Sequence, residues 1–595
     1  MGGFRRPFFE EKMKKNKKMS LLVRHLRPAA SAFALGLAAS LAATLLRTGF
    51  TQVIRFVVDD ILVDVHLSGV PGVALANACM VCAVIALLEF GAGYIQDSSI
   101  PKGSERFVKS LRDALYSHIQ RLPYSWHVRH ATGDIIQRCI SDVEVVRAFI
   151  TDQLLDLVST MFLLITFMVV MFTMNVKMAL LAFIFVPVIV GYSLVFYKYV
   201  SGKYRETDEA EGALSAVVQE NLTGVRVVRA FGRERDELEK FREKNNRYAD
   251  LWIRLGDWLS AFWTLGDMMN IFQVFAIVVL GVHMCVSGEI TLGVYIAFVN
   301  YTRQLTLPVR RLGRVISEMS KAGVSIERLL YILESEPEMQ TENPKAADMH
   351  GDICFEHVTF AYEEKPVLRD VSFTIPGGST LGILGGTGSG KSTIALLLAR
   401  LYEPDEGRIT IGGVDIREMD RSALRRGVGV VLQEPFLFSR TLAENVAIAS
   451  DGASREDVER AVRDACLDTS VGEFRDGYDT VVGERGVTLS GGQKQRTAIA
   501  RTLLSGAPVM VFDDALSAVD AKTDEAIRKR LREAAGDSTL ILIAHRVSTL
   551  ALSDQIIVLS GGEIIEHGTH EELMALGGEY ARTAAMQGEE DAHAE

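Results

Sequence analysis

The sequence predicts two folds on one chain: an all-α membrane domain of six helices with long cytoplasmic helical extensions, then an α/β domain. Three observations carry this. The 595 residues are 48% hydrophobic with a mean hydropathy of +0.17, yet 23% are charged. A wholly soluble chain is rarely apolar on average, and a wholly membranous one carries fewer charges. Six apolar stretches of membrane-spanning length precede residue 333, and beyond residue 348 short β-branched runs alternate with helical segments. The net charge of −11 argues against a basic coat for nucleic acid, so no such partner is expected.

The membrane half, residues 1–333, opens on Arg5, Arg6 and a cluster of lysines, Lys12, Lys14, Lys15, Lys17 and Lys18. The apolar run Ala29–Leu46 continues into Phe50–Val58. A cleaved signal has an apolar core of only about 7–15 residues, so a retained first span is expected. Val73–Ile95, Ile150–Met174, Lys177–Val200, Leu265–Val286 and Ile290–Leu312 follow. Each is close to the ~20 residues that cross ~30 Å of hydrocarbon. Between spans two and three, and again between four and five, lie long basic stretches (Lys102 to Arg147, Lys203 to Lys244), whereas the first opposite-side loop is acidic (Asp59, Asp60, Asp64). Positive charge stays inside, so both long stretches and both termini are placed in the cytoplasm of a multi-pass protein of the inner (plasma) membrane. Tyr204–Asp250 has no proline and repeats apolar residues every three to four, so it reads as helix reaching far below the membrane.

Polar residues within these spans include Arg47, Glu89, Asp267 and Arg303. Ionisable groups in a membrane are candidate substrate contacts, the alternative being that they pair with one another. Six scattered cysteines give no disulfide framework, and Cys79-x-x-Cys82 lies in an apolar run without a second ligand pair.

Residues 334–348, with Pro337 and Pro344, read as a linker. The α/β half, residues 349–586, has strand candidates Ile353–Ala361, Thr380–Leu384, Val428–Leu432, Val509–Phe512 and Leu540–Ala544, and helix candidates Lys391–Leu401 and Lys522–Ala535. Alternation of this kind predicts a parallel sheet covered on both faces. Residues 587–595 read as a loose acidic tail.

Within this half, Gly385-Gly386-Thr387-Gly388-Ser389-Gly390-Lys391-Ser392, followed by Thr393, matches the P-loop pattern without deviation. In a chain of this length the pattern arises by chance at roughly 2%. It leaves a strand and opens a helix, where backbone N–H groups and the helix dipole hold phosphate. Lys391 is expected on the β- and γ-phosphates of ATP and Ser392 on Mg²⁺. Asp513, ending the apolar run Val509–Phe512, is the expected carboxylate for the metal. Leu489-Ser490-Gly491-Gly492-Gln493 makes a second helix start suited to an anion. Two phosphate-seeking ends and one P-loop imply that two such domains pair head to tail.

With those motifs, the chain resembles a half-transporter of the ATP-binding cassette superfamily in the exporter arrangement, six spans followed by one P-loop nucleotide-binding domain. The resemblance covers nearly all of Leu21–Met586 and is strongest to bacterial multidrug or lipid exporter subunits. It implies that Tyr362 stacks on adenine, that Gln433 touches Mg²⁺ or the attacking water, and that His545 senses the γ-phosphate. It makes Leu489–Gln493 the signature, contributed to the other subunit's nucleotide, and Ser517–Asp520 a stretch that crosses the dimer, with Asp520 near that nucleotide. Gly483–Gly486 matches the short exporter motif that meets the membrane domain. Thr132-Gly133-Asp134 and Gly224–Phe231 resemble the cytoplasmic coupling regions.

One position departs from the family. Where it places glutamate after the strand-end aspartate, to polarise the attacking water, this chain has Asp514. Aspartate is one methylene shorter, which withdraws the carboxylate by roughly 1.5 Å, and a base must lie within about 2.6–3.2 Å of its proton or of one intervening water. The resemblance therefore implies a weakly hydrolytic site beside an intact signature, that is, the degenerate-site subunit of a heterodimeric exporter. The alternatives are a homodimer with two slow sites, or an ATP-gated channel or regulatory subunit on the same scaffold. A soluble ATPase is excluded by the spans. The expected cargo is a small hydrophobic or amphipathic molecule, and no peptidase-like N-terminal segment points to peptide export.

Overall fold

The computed structural model describes residues 23–62, 73–450, 452–517, 519 and 521–594. They form two compact units. One runs up to Leu122 and resumes over His130–Glu336; the other joins Pro123–Arg129 to Pro337–Glu595.

The first unit is helical: α1 (Val23–Ile61), α2 (Val73–Ile119), α3 (the six residues Tyr124–Arg129, folded with the second unit), α4 (Thr132–Met174), α5 (Val176–Thr223), α6 (Val225–Ala230), α7 (Glu234–Val286) and α8 (Leu292–Glu334). Among the described helices α1, α2, α4, α5 and α7 are long and apolar enough to cross a membrane. The sixth expected stretch, Ile290–Leu312, falls largely within α8, which is 43 residues long, carries Arg303, Arg310 and Arg311, and is not among those five. The apolar stretches and the polar segments beyond them are continuous: α5 runs 48 residues and α7 53. The basic N-terminal cluster and Asp64 lie outside the described residues.

Packing follows from side-chain size. Ala179 and Ala182 of α5 let Phe167, Met171, Ile277, Phe298 and Tyr301 close around them in a fully buried cluster. Tyr301 keeps its hydroxyl satisfied there, donating to the Thr48 carbonyl (2.9 Å) and accepting from Gln52 Nε2 (2.7 Å). Asp59 at the end of α1 accepts from Thr291 Oγ1 and the Gly293 N–H (2.6 Å each), neutralising the open N-terminus of α8. The chain turns π-helical over Val57–Ile61, Arg138–Asp142 and Phe149–Leu154.

The second unit holds two sheets. Four strands, in the order β2 (Pro366–Ile375), β1 (Ile353–Ala361), β4 (Glu406–Ile411), β5 (Val414–Asp415), are antiparallel. Six strands run β10 (Glu563–Gly568), β9 (Gln555–Ser560), β3 (Thr380–Gly385), β8 (Thr539–Ile543), β7 (Val509–Asp513), β6 (Val428–Val431). The central strands pair in parallel and β10 joins antiparallel. The parallel sheet expected from sequence is therefore there, but so is an antiparallel one that the alternation did not announce.

Helices α9 (Lys391–Leu398), α10 (Gly491–Ser505), α11 (Ala521–Ala535) and α12 (Glu579–Ala594) complete the parts used below. α12 corrects the expectation of a loose tail. Its alanines, glutamates and glutamine are good helix formers, and the helix runs on to Ala594. Linker residue Glu338 is clamped by Arg425 (2.8 Å) and Arg421 (3.5 Å). Burial pushes its carboxyl up, but hydrogen bonds and charge from the two guanidiniums outweigh that and hold it below the usual carboxylate range.

Candidate functional site

Parallel strands bring their C-terminal ends to one edge of a sheet, and β3, β8 and β7 are neighbours. In register, Asp513 lies beside Ile543, and Ile543 beside Ile383. Gly385, Asp513, Asp514 and His545 thus leave the sheet at the same edge, although some 160 residues separate the first from the last. This is where an open α/β sheet binds ligands.

The P-loop turns at Gly388 (φ +80°) and Gly390 (φ +102°). A Cβ on Gly390 would meet Leu368 Cδ2 at 2.6 Å, so the tight entry into α9 needs glycine twice over. Lys391, 7% exposed, folds back so that Nζ donates to the carbonyls of Gly385 (2.7 Å) and Gly386 (2.8 Å). Burial lowers its pKa, against the charges of Asp513 and Asp514. Ser389 Oγ is buried with no hydrogen-bond partner, and a Cβ at Gly386 or Gly388 would meet nothing within 4 Å. An orphaned hydroxyl, a masked ammonium and open space above the loop are what a phosphate would fill, so these residues fit the nucleotide.

Asp513, 4% exposed, is pushed up by burial, and the Ser392 hydroxyl bonded to it pulls the other way. One hydroxyl and one buried carboxylate make a hard oxygen donor pair, which fits Mg²⁺. Asp514 sits in the left-handed region at φ +48°, where aspartate is tolerated better than longer side chains. Its N–H donates to the Ile543 carbonyl (2.9 Å), and its own carbonyl accepts from Ser517 Oγ (2.9 Å) and Gln495 Nε2 (3.4 Å). Asp514 and His545 line one pocket with Ser517 and Arg546. Gln433 stands exposed just past β6.

Tyr362 is 37% exposed, yet both its hydroxyl and its ring have partners. Its hydroxyl hydrogen-bonds Thr393 Oγ1 (3.0 Å), and its ring meets Tyr402 edge-on with centroids 5.1 Å apart. Tyr402 in turn meets Tyr124 of α3 edge-on at 5.6 Å. The sequence motif Thr132-Gly133-Asp134 forms the first turn of α4, and α3, which ends three residues before it, is the segment folded with this unit.

Ser490 is the N-cap of α10: its Oγ accepts from the Gln493 N–H (3.3 Å) while Gln493 Oε1 accepts from the Ser490 N–H (2.9 Å). Leu489 is buried beneath, and Ser490 and Gly491 are exposed. Gly483–Gly486 contributes the turn Glu484–Gly486. Asp520 and Ala518 lie outside the described residues. Tyr402, Gln495 and Tyr124 are additions that sequence reasoning did not find, since each acts through a partner distant in the chain.

In the membrane unit a cavity of about 560 Å³ is lined by Ser40, Gln96, Asp152, Asp156, Phe262, Trp263, Arg310 and Arg311. The π-turn Phe149–Leu154 contributes Asp152. Arg310 pairs with Asp267 (2.9 Å), lies under the face of Trp263 (5.1 Å) and passes over Gly266, where a Cβ would stand 2.7 Å from Cζ. Glu89 pairs with Arg47 (2.9 Å). Both acids named as substrate candidates therefore have arginine partners.

Comparison with known proteins agrees with this geometry. Residues 33–309 match the ABC transporter transmembrane region and residues 368–517 match the ABC transporter domain. An ATP-dependent lipid A-core flippase of Syntrophus aciditrophicus is 30% identical over 581 residues, 97% of this chain and 96% of the relative. A putative multidrug export ATP-binding/permease protein of Bacillus subtilis is 33% identical over 544 residues, covering 90% and 93%. The solved structure of a bacterial Atm1-family ABC exporter with ATP bound superposes with a TM-score of 0.79 at 27% identity, covering 95% of this chain and 99% of that one.

Proposed function

This chain belongs to the ABC exporters, with a transmembrane region fused to one ATP-binding domain, and from that premise we propose that it is the degenerate-site subunit of a heterodimer that moves a hydrophobic or amphipathic molecule out of the cytoplasm or the inner leaflet. The observation that carries the proposal is the contrast at one sheet edge: a complete phosphate cradle around Lys391 beside a water-activating position filled by Asp514. Relatives that export drugs or flip lipid A-core support the cargo class. The domain with Lys391 and both termini are assigned to the cytoplasm of the inner membrane by the basic stretches.

The residues act as follows. Tyr362 turns from Thr393 to stack on adenine. Lys391 exchanges the Gly385 and Gly386 carbonyls for the β- and γ-phosphates, an exchange favoured because charge-assisted bonds to phosphate exceed those to neutral carbonyls. Ser389 Oγ gains the acceptor it lacks. Ser392, Asp513 and Gln433 would hold Mg²⁺, which would neutralise negative charge on the phosphate oxygens. His545 meets the γ-phosphate. The partner's nucleotide meets Ser490, Gly491, Gly492, Gln493 and Asp520. The contacts made by the other subunit's signature form only when two such domains close, so binding shifts the population toward closure and hydrolysis reverses it. Asp514 leaves this chain's own nucleotide bound for long periods, and the partner's site sets the pace. The cavity beneath Trp263 is assigned to the cargo.

The test is ATP turnover in lipid nanodiscs. The chain alone turns over slowly, and addition of a half-transporter with glutamate after its strand-end aspartate raises the rate. Fast hydrolysis by the unpartnered wild-type chain overturns the heterodimer reading in favour of a homodimer. Ion conductance without cargo depletion overturns export in favour of a channel.

A further inference from the structure

The last helix ends on the loop that carries His545. α12 is fixed at its start: the Glu566 carboxylate accepts from the N–H groups of Glu579 and Tyr580. Tyr580 is fully buried, its hydroxyl 2.8 Å from His570 Nδ1, and it packs with Leu384, Ala544, Val547 and Leu550. Two turns later the Gln587 side chain reaches the loop after β8. Nε2 donates to the His545 carbonyl (2.7 Å), and Oε1 accepts from the Val547 N–H (2.9 Å).

This contact supplies what the loop lacks. Val547 opens the short helix Val547–Leu550, and its N-cap residue, Arg546, makes no side-chain capping bond. Arginine carries only donors and cannot cap, so the first N–H of that helix would otherwise have no intrahelical partner. A primary amide has one donor side and one acceptor side and bridges both strands of the loop around Arg546 at once. The backbone at which the imidazole leaves the sheet is thus held from outside by a residue 42 positions later.

We propose that Gln587 is a positioning residue for His545, so that the C-terminal helix tunes how the domain distinguishes ATP from ADP. The inference rests on the assignment of His545 to the γ-phosphate. It predicts an effect confined to the terminal phosphate, since the P-loop is not touched by Gln587.

The experiment measures Mg-ATP and Mg-ADP affinities of the full-length chain in nanodiscs, with thermal stability alongside. Gln587→Ala weakens ATP binding roughly three- to tenfold, about the effect of one lost hydrogen bond, and leaves ADP binding unchanged. Gln587→Glu keeps the acceptor for Val547 but sets oxygen against the His545 carbonyl, and falls at least as far. An equal loss for both nucleotides, or no loss for either, overturns the inference. His545→Ala separates the two claims. If it leaves the ATP-to-ADP ratio unchanged, the assignment of His545 fails; if it lowers the ratio while Gln587→Ala does not, only the role of Gln587 fails.

Discussion

Two helix starts in the second unit look alike in sequence, small residues and glycine ahead of a helix, and differ in what completes them. At α9 the loop closes on its own lysine: Lys391 is buried and bonded to Gly385 and Gly386, and Ser389 Oγ lacks a partner. At α10 the start is closed by its own serine and glutamine in a capping box, yet Ser490 and Gly491 face outward. The first is a pocket waiting for a ligand within the chain. The second is a finished surface, stable without ligand, that fits the role of a face presented to another subunit.

Substitutions break or sharpen this contrast. The largest effect is expected at Lys391: Lys391→Ala removes the only side-chain cation of the P-loop and lowers ATP affinity and turnover by about two to three orders of magnitude, measured by nucleotide binding and phosphate release. Next is Asp514→Glu, which restores the missing methylene and raises turnover of the unpartnered chain, on the order of a hundredfold. Glutamate tolerates φ +48° less well than aspartate, so the same variant melts slightly earlier. Ser490→Ala separates the two starts. It lowers hydrolysis of the paired complex about tenfold and destabilises α10 by ~1 kcal/mol, while ATP affinity at this chain's own P-loop stays as it was.

The smallest effect on activity lies away from both. Glu338→Gln removes a half-buried carboxylate from Arg425 and Arg421 and costs about 1 kcal/mol of stability at neutral pH with nucleotide affinity unchanged. The native carboxyl is held below its unfolded value near ~4.3, so its contribution is complete above that value and lost as pH falls through the lower native one. Thermal melts of wild type and Glu338→Gln should therefore converge in acid.

The P-loop, Asp513 and the spans were legible because local pattern dictates them: glycines at fixed spacing, a carboxylate after a buried run, twenty apolar residues. β4 was not, being a six-residue strand whose partner lies distant in sequence, 406–411 against 353–359. Tyr402, Gln495 and Gln587 carry no local signal, for each gains its role only when tertiary folding brings a partner from tens or hundreds of residues away. The pairing of Arg47 with Glu89 and Arg310 with Asp267 was foreseen as a possibility for charges in the membrane, but which pairs form depends on helix packing.

The edge-on stack of Tyr124 against Tyr402 has a practical consequence for anyone dividing the molecule. A fragment starting at residue 349 looks like a self-sufficient soluble ATPase piece, yet it omits Tyr124–Arg129 and so bares the aromatic flank that lies directly under Tyr362. Such a fragment would be stickier and would grip adenine differently from the intact chain, and grafting those six residues back as a tethered peptide would be the simplest repair.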